Sequence, residues 1–180
     1  MAEPGAARGS GVIGALLERE KRFLVRLERV VRFDGAIYRE IEVDPHAIPQ
    51  AFAVVIGAAI LSGLGQGSLV GIFVGMGGSI LIWMAVTALI WAVGRGVVGT
   101  HVEPSRLLRC TGFADLWFGL LLFASLPALG TLFAWAAVGL ALASLVLSTR
   151  QVFETDTSRA LLVCCVALGV PLLALLWIVP

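Results

Sequence analysis

The sequence predicts an all-α protein, a polytopic transmembrane bundle of five spans preceded by an N-terminal amphipathic interfacial helix. Hydrophobic residues fill 59% of the 180 positions and charged residues only 14%, against about 25% charged in an ordinary soluble domain. Mean hydropathy is +0.97, so most helix surface is expected to face lipid or other helices. Uncharged stretches far longer than one bilayer crossing recur, and every Lys and Arg falls in alternate connections. A net charge of +1 gives no electrostatic footprint for nucleic acid.

Residues 1–10 are polar and Gly/Ala-rich, without a secretory leader pattern, and are expected to be disordered. Residues 11–45 form an amphipathic cytoplasmic or interfacial segment. Leu16, Leu17, Phe23, Leu24, Leu27, Val30 and Val31 recur at helical spacing, while Arg19, Arg22, Arg26 and Arg29 stand on the other face. Such a helix can lie in the interface, held by apolar burial and by anionic lipid at the inner face. A short segment from Ala36 to Asp44, bounded by Gly35 and Pro45, reads as irregular or a brief helix.

Residues 46–180 form the transmembrane domain. No charge occurs from 48 to 93, and one helix of that length would reach about 69 Å, twice the apolar thickness of a bilayer. Gly65-Gln66-Gly67 is the natural reversal, giving spans at 48–65 and 68–93. The next apolar block breaks at Pro127 and Gly130, giving spans at 107–126, with Ser105 as N-cap, and 130–148. A last apolar run gives the span 160–179.

Of thirteen Lys and Arg residues, eight precede the first span, Arg95, Arg106 and Arg109 flank the second connection, and Arg150 and Arg159 flank the fourth. The basic excess marks the cytoplasmic side, so the N-terminus is expected inside and the C-terminus outside a cell membrane. Trp91 and Trp177 fall near predicted span ends, where interfacial aromatics collect.

Gly67, Gly71, Gly75 and Ser79 form a four-residue ladder of small residues expected to pack helices closely, within the bundle or between two copies. Asp115 is the single ionisable residue within an apolar segment, which makes it a functional suspect. It stands about 9 Å along a helix from Arg109, so pairing with Arg109 or Arg106 near the inner interface is the structural alternative. Arg106, Arg109, Asp115, Arg150, Glu154, Asp156 and Arg159 are the candidate inner-face polar cluster.

No motif points to an enzyme or a cofactor. Cys110, Cys164 and Cys165 lack metal or disulfide spacing, and His46 and His101 stand alone beside Asp44 and Glu103, so no metal site is expected. Neither a nucleophile elbow nor a His-Glu-x-x-His is present.

Several stretches resemble the Yip1-domain family of small five-span membrane proteins, in its short prokaryotic form. They are Tyr38-Arg39-Glu40-Ile41-Glu42-Val43-Asp44-Pro45 with Gln50-Ala51, then Arg106-Leu107-Leu108-Arg109 followed by Gly112-Phe113-Ala114, then Arg150-Gln151 through Ser158-Arg159-Ala160-Leu161. The resemblance covers about residues 36–180 and lies in order and topology. Family members often carry a proline shortly after the Gly-aromatic pair, where this chain has Trp117 preceded by Asp115. The resemblance assigns no activity; the amphipathic helix and the charged inner loops are the expected contact surface of a non-enzymatic protein that organises membrane or partner membrane proteins, as a homo-oligomer or with another membrane protein. The alternative reading is a small transporter or channel subunit with Asp115 on the path.

Overall fold

A computed structural model describes residues 6–67 and 69–178, with side chains over 17–67 and 70–169. Residues 1–5 of the expected disordered N-terminus lie outside the described residues, as does the environment of Trp177. The described chain is helical: α1 (Ala6–Val31), α2 (Gly35–Val43), α3 (Ala47–Gly65), α4 (Leu69–Val98), α5 (Pro104–Ala114), a 3-10 segment (Asp115–Phe123), α6 (Gly130–Val152) and α7 (Thr157–Ile178). Helices α3, α4 and α6 are long and apolar enough to cross a membrane, with mean hydropathies of 1.9, 2.0 and 2.0.

Local chemistry sets the breaks. Phe33 takes a left-handed φ of 55° after α1, and the Asp34 carboxylate accepts from the Ala36 amide at 2.9 Å to start α2. The segment read as irregular or briefly helical is thus a capped helix. The reversal at Gly65-Gln66-Gly67 forms as the sequence requires, with Gly67 at φ 67°, a conformation that Gly adopts without a Cβ clash. The predicted N-cap Ser105 is displaced: the cap is Glu103 and Pro104 opens α5, because a proline at the first helical position loses no hydrogen bond. Ser105 donates instead to the Glu103 carboxylate at 2.7 Å.

The predicted helix 107–126 is not one regular helix. It changes from α to 3-10 winding at Asp115 and stays so through Phe123, a long run for that geometry and of the kind that marks functional or strained positions. No proline is involved. Tight packing accompanies the change, since a Cβ on Gly65 would collide with the Leu121 carbonyl.

The apolar core gathers where α1 and α2 meet the helix ends. Val30, Ile37, Tyr38, Ile41, Ala47, Leu107, Cys110 and Phe113 are all fully buried there. At the other extreme, α4 exposes Phe73 at 77% and Val70 at 74%. Such apolar exposure suits a lipid solvent, where apolar side chains carry no penalty.

Three members of the ladder Gly67, Gly71, Gly75 and Ser79 meet different surroundings within this one chain. Gly67 is in the turn, open space lies where a Cβ on Gly75 would point, and Ser79 lines a cavity. Close approaches fall instead at Gly63 against Ile72, Gly65 against Leu121 and Leu122, Gly94 against Phe153, and Gly112 against Ala51 and Trp83. A spacing of four identifies one helix face, but only the neighbour's position decides whether that face is covered.

Candidate functional site

Two polar regions stand out, one at the charged end of the bundle and one between apolar helices. At the charged end, α1 and α2 form a shelf over the starts of α3 and α5. Arg26 is its centre, 4% exposed. Its guanidinium donates to Gln50 Oε1 at 2.7 Å, to Asp44 Oδ2 at 2.7 Å, and twice to Glu40 Oε1 at 3.1 Å. Five fixed N–H donors make arginine the residue able to bind α1, α2 and α3 through one head group. Arg29 donates to Asp34 at 2.8 Å and to Glu40 at 3.1 Å.

These pairings shift the acids. The Arg29 hydrogen bond, with the Ala36 amide, holds the Asp34 carboxyl below its ordinary 3.8. Burial pushes Asp44 upward, but the Arg26 hydrogen bond, the His46 amide and the adjacent positive charges outweigh it and hold that carboxyl low as well.

The predicted apolar stripe of α1 is divided. Phe23, Leu27 and Val30 join the core, with Phe23 edge-on to Phe113. Leu24, Leu17, Val25 and Val31 are about half exposed or more, alongside exposed Arg19, Lys21, Arg22 and Arg32. A cavity of about 210 Å³ between α1 and the start of α3 is lined by Arg19, Arg22, Arg26, Asp44, His46 and Gln50.

The expected inner-face cluster separates into four parts, of which Asp115 is one. Arg106 pairs with Glu42 at 3.3 Å and Arg109 donates to the Glu42 carbonyl oxygen at 2.7 Å, while Arg109 Nε is buried without a hydrogen-bond partner. Arg150 and Glu154 line an open basin of about 500 Å³ with Arg39, Gln151 and Thr155. Asp156 pairs with Arg159 at 3.6 Å and accepts from Thr155 Oγ1 at 3.3 Å. The spacing of residues along α5 could not disclose that α2 would deliver Glu42 to Arg106 and Arg109.

Asp115 lies apart from all of these. The expected pair with Arg109 or Arg106 does not form: Arg106 pairs with the Glu42 carboxylate and Arg109 reaches the Glu42 carbonyl oxygen instead. The Asp115 carboxylate makes no hydrogen bond or ion pair among the described residues. It lines a cavity of about 210 Å³ between α3, α4 and the 3-10 segment, with Ser62, Ser79, Val55, Ala58, Ala59, Ile82, Phe118 and Leu121. Ser62 Oγ accepts from Gln66 Nε2 at 3.3 Å, which ties the cavity to the α3–α4 turn.

Toward the charged end, one turn from Asp115 and from Ser79, the interior is polar but satisfied. Trp83 Nε1 donates to Thr111 Oγ1 at 3.0 Å, and Thr87 and Thr111 share a hydrogen bond of 2.7 Å. Trp91 Nε1 donates to the Val102 carbonyl oxygen at 2.9 Å, with Arg95 over its ring. Ser79, Trp83, Thr87 and Trp91 recur every four residues along α4. That polar stripe was readable in the sequence, hidden because tryptophan is counted among the apolar residues.

No group of three or more His, Cys, Asp and Glu that could hold a metal occurs among the described residues. Comparisons with protein-family models, with curated proteins and with solved structures find no match to this chain.

Proposed function

We propose that this chain is a non-enzymatic multi-pass membrane protein, related to the short prokaryotic Yip1-domain proteins, that organises membrane lipid or partner membrane proteins through its charged end. In this reading five helices cross the cell membrane, the N-terminus and the α1–α2 shelf are cytoplasmic, and the C-terminus is outside. The observation that carries it is the double role of α1. Arg26 fastens the helix to the bundle, while Leu17, Leu24, Val25 and Val31 stay exposed beside Arg19, Lys21, Arg22 and Arg32. Lys21 and Arg32 pair with Glu18 and Glu28, so Arg19 and Arg22 are the α1 cations left to meet an anionic membrane interface beside the exposed apolar side chains.

Cysteine accessibility tests the role of α1. Leu24→Cys in a Cys165→Ser background, reconstituted in vesicles with and without phosphatidylglycerol, is expected to react more slowly with an aqueous maleimide when the anionic lipid is present. Adding Arg19→Glu and Arg22→Glu should erase that difference. Equal labelling in both vesicles by the chain that keeps both arginines would end the interfacial reading.

A second reading, a small transporter or channel subunit, is favoured by the unpaired Asp115 in its cavity, since intramembrane acids mark ion and substrate paths. Loss of flux in Asp115→Asn proteoliposomes is its test.

A further inference from the structure

We infer that the cavity between α3, α4 and the 3-10 segment is a binding site for a small primary alkylammonium ion, with Asp115 as counter-ion. The inference deepens the transport reading by naming a ligand class, and it stands or falls on binding alone.

The charge comes first. An ionised carboxylate partly withdrawn from water among apolar side chains is stabilised by a partner, and Asp115 has none among the described residues, Arg106 pairing with the Glu42 carboxylate and Arg109 reaching the Glu42 carbonyl oxygen. A cation entering the cavity supplies that partner.

Donor count and shape then narrow the cation. A primary ammonium offers three N–H donors and no acceptor. The cavity offers three side-chain acceptors, the Asp115 carboxylate and the hydroxyls of Ser62 and Ser79. Ser62 Oγ uses one lone pair on Gln66 Nε2 and keeps a second for the ligand. The remaining walls are Val55, Ala58, Ala59, Ile82, Phe118 and Leu121. They offer nothing to a hydrated metal ion, which needs several oxygen ligands. They suit an alkyl chain, and Phe118 provides an aromatic face able to attract a cation. A volume of about 210 Å³ equals the space of about seven liquid waters, enough for an ammonium head and a short chain.

Titration calorimetry on the full-length protein in nanodiscs, with n-butylammonium chloride as probe and n-butanol as neutral isostere, tests the site. The expected result is saturable one-to-one binding of n-butylammonium and none of n-butanol. Binding should weaken at least about tenfold in Asp115→Asn and by less in Ser79→Ala, with both variants melting like the parent protein. If Asp115→Asn fails to fold, the Ser79→Ala loss and the n-butanol comparison still decide. The proposal is overturned if the parent protein shows no saturable binding, if n-butanol or folded Asp115→Asn binds equally well, or if sodium chloride gives the saturable signal and n-butylammonium does not. Uptake of n-butylammonium into proteoliposomes is measured separately: binding without uptake upholds the site and ends the transport reading.

Discussion

The α1–α2 shelf and the Asp115 cavity both hold charge away from bulk water, and they treat it in opposite ways. Arg26 is surrounded by Glu40, Asp44 and Gln50, so its burial is compensated at every side. Asp115 shares its cavity with two serines and otherwise apolar side chains. Compensated charge of the first kind fastens one helix to another. Uncompensated charge of the second kind weakens the fold unless something else binds it, which is why such residues are suspects for function. The two regions should therefore answer mutation with opposite signs.

The largest effect is expected at the shelf. Arg26→Ala strands two carboxylates and the Gln50 amide at the contact of α1, α2 and α3. Since Glu40 keeps 47% exposure, part of that cost is relieved by water, leaving about 2–3 kcal/mol of destabilisation. A lower melting temperature in detergent and faster proteolysis within α1 would show it. Unchanged proteolysis would mean that Arg26 does not hold α1.

A somewhat smaller loss is expected from Gly65→Ala beside the cavity, where the added Cβ meets the Leu121 carbonyl and backbone must move, about 1–3 kcal/mol. Its control, Gly75→Ala, adds a methyl to open space and should stay within about 0.5 kcal/mol. The same melting assay reads both, and equal losses would mean that Gly75 is packed against a neighbour, as the four-residue ladder predicts.

Asp115→Asn should move stability the other way, leaving the unliganded protein as stable as before or up to about 1 kcal/mol more so. A clear destabilisation would place a partner on Asp115 and erase the contrast between the two regions.

The smallest effect is the pH response of the shelf. Asp34 and Asp44 both titrate below the ordinary carboxyl value of 3.8. Their contribution is complete above that value and is lost as pH falls through their lowered values in the folded state. Protection of α1 from proteolysis, read with an acid-active protease, should hold from neutral pH to about 5 and decline below about 4. A decline already near neutral pH would point to a group other than these two carboxylates.

Much of the architecture was legible because the signals were local. Gly65-Gln66-Gly67 turns, Pro127 and Gly130 bound a break, and uncharged runs become long helices, since each depends on backbone freedom or side-chain polarity within a few residues. The cap at Asp34 is equally local, although its carboxylate was passed over for the glycine next to it. The candidate site was legible only in part. Asp115 stands out in any reading of the chain, but its neighbours do not. Glu42, Ser62 and Ser79 are far from Asp115 in sequence, and which of them reaches which partner depends on how α2, α3 and α4 pack.

Composition and the spacing of apolar and basic residues thus determined by themselves that this is a helical chain with several helices fit for a membrane, because solvent preference and helical period are properties of each segment. Only the tertiary structure decided that Arg26 would be satisfied and Asp115 left alone. A charge withdrawn from water is offset by residues brought from elsewhere in the chain, and the cavity at Asp115 holds only two hydroxyls and an apolar wall.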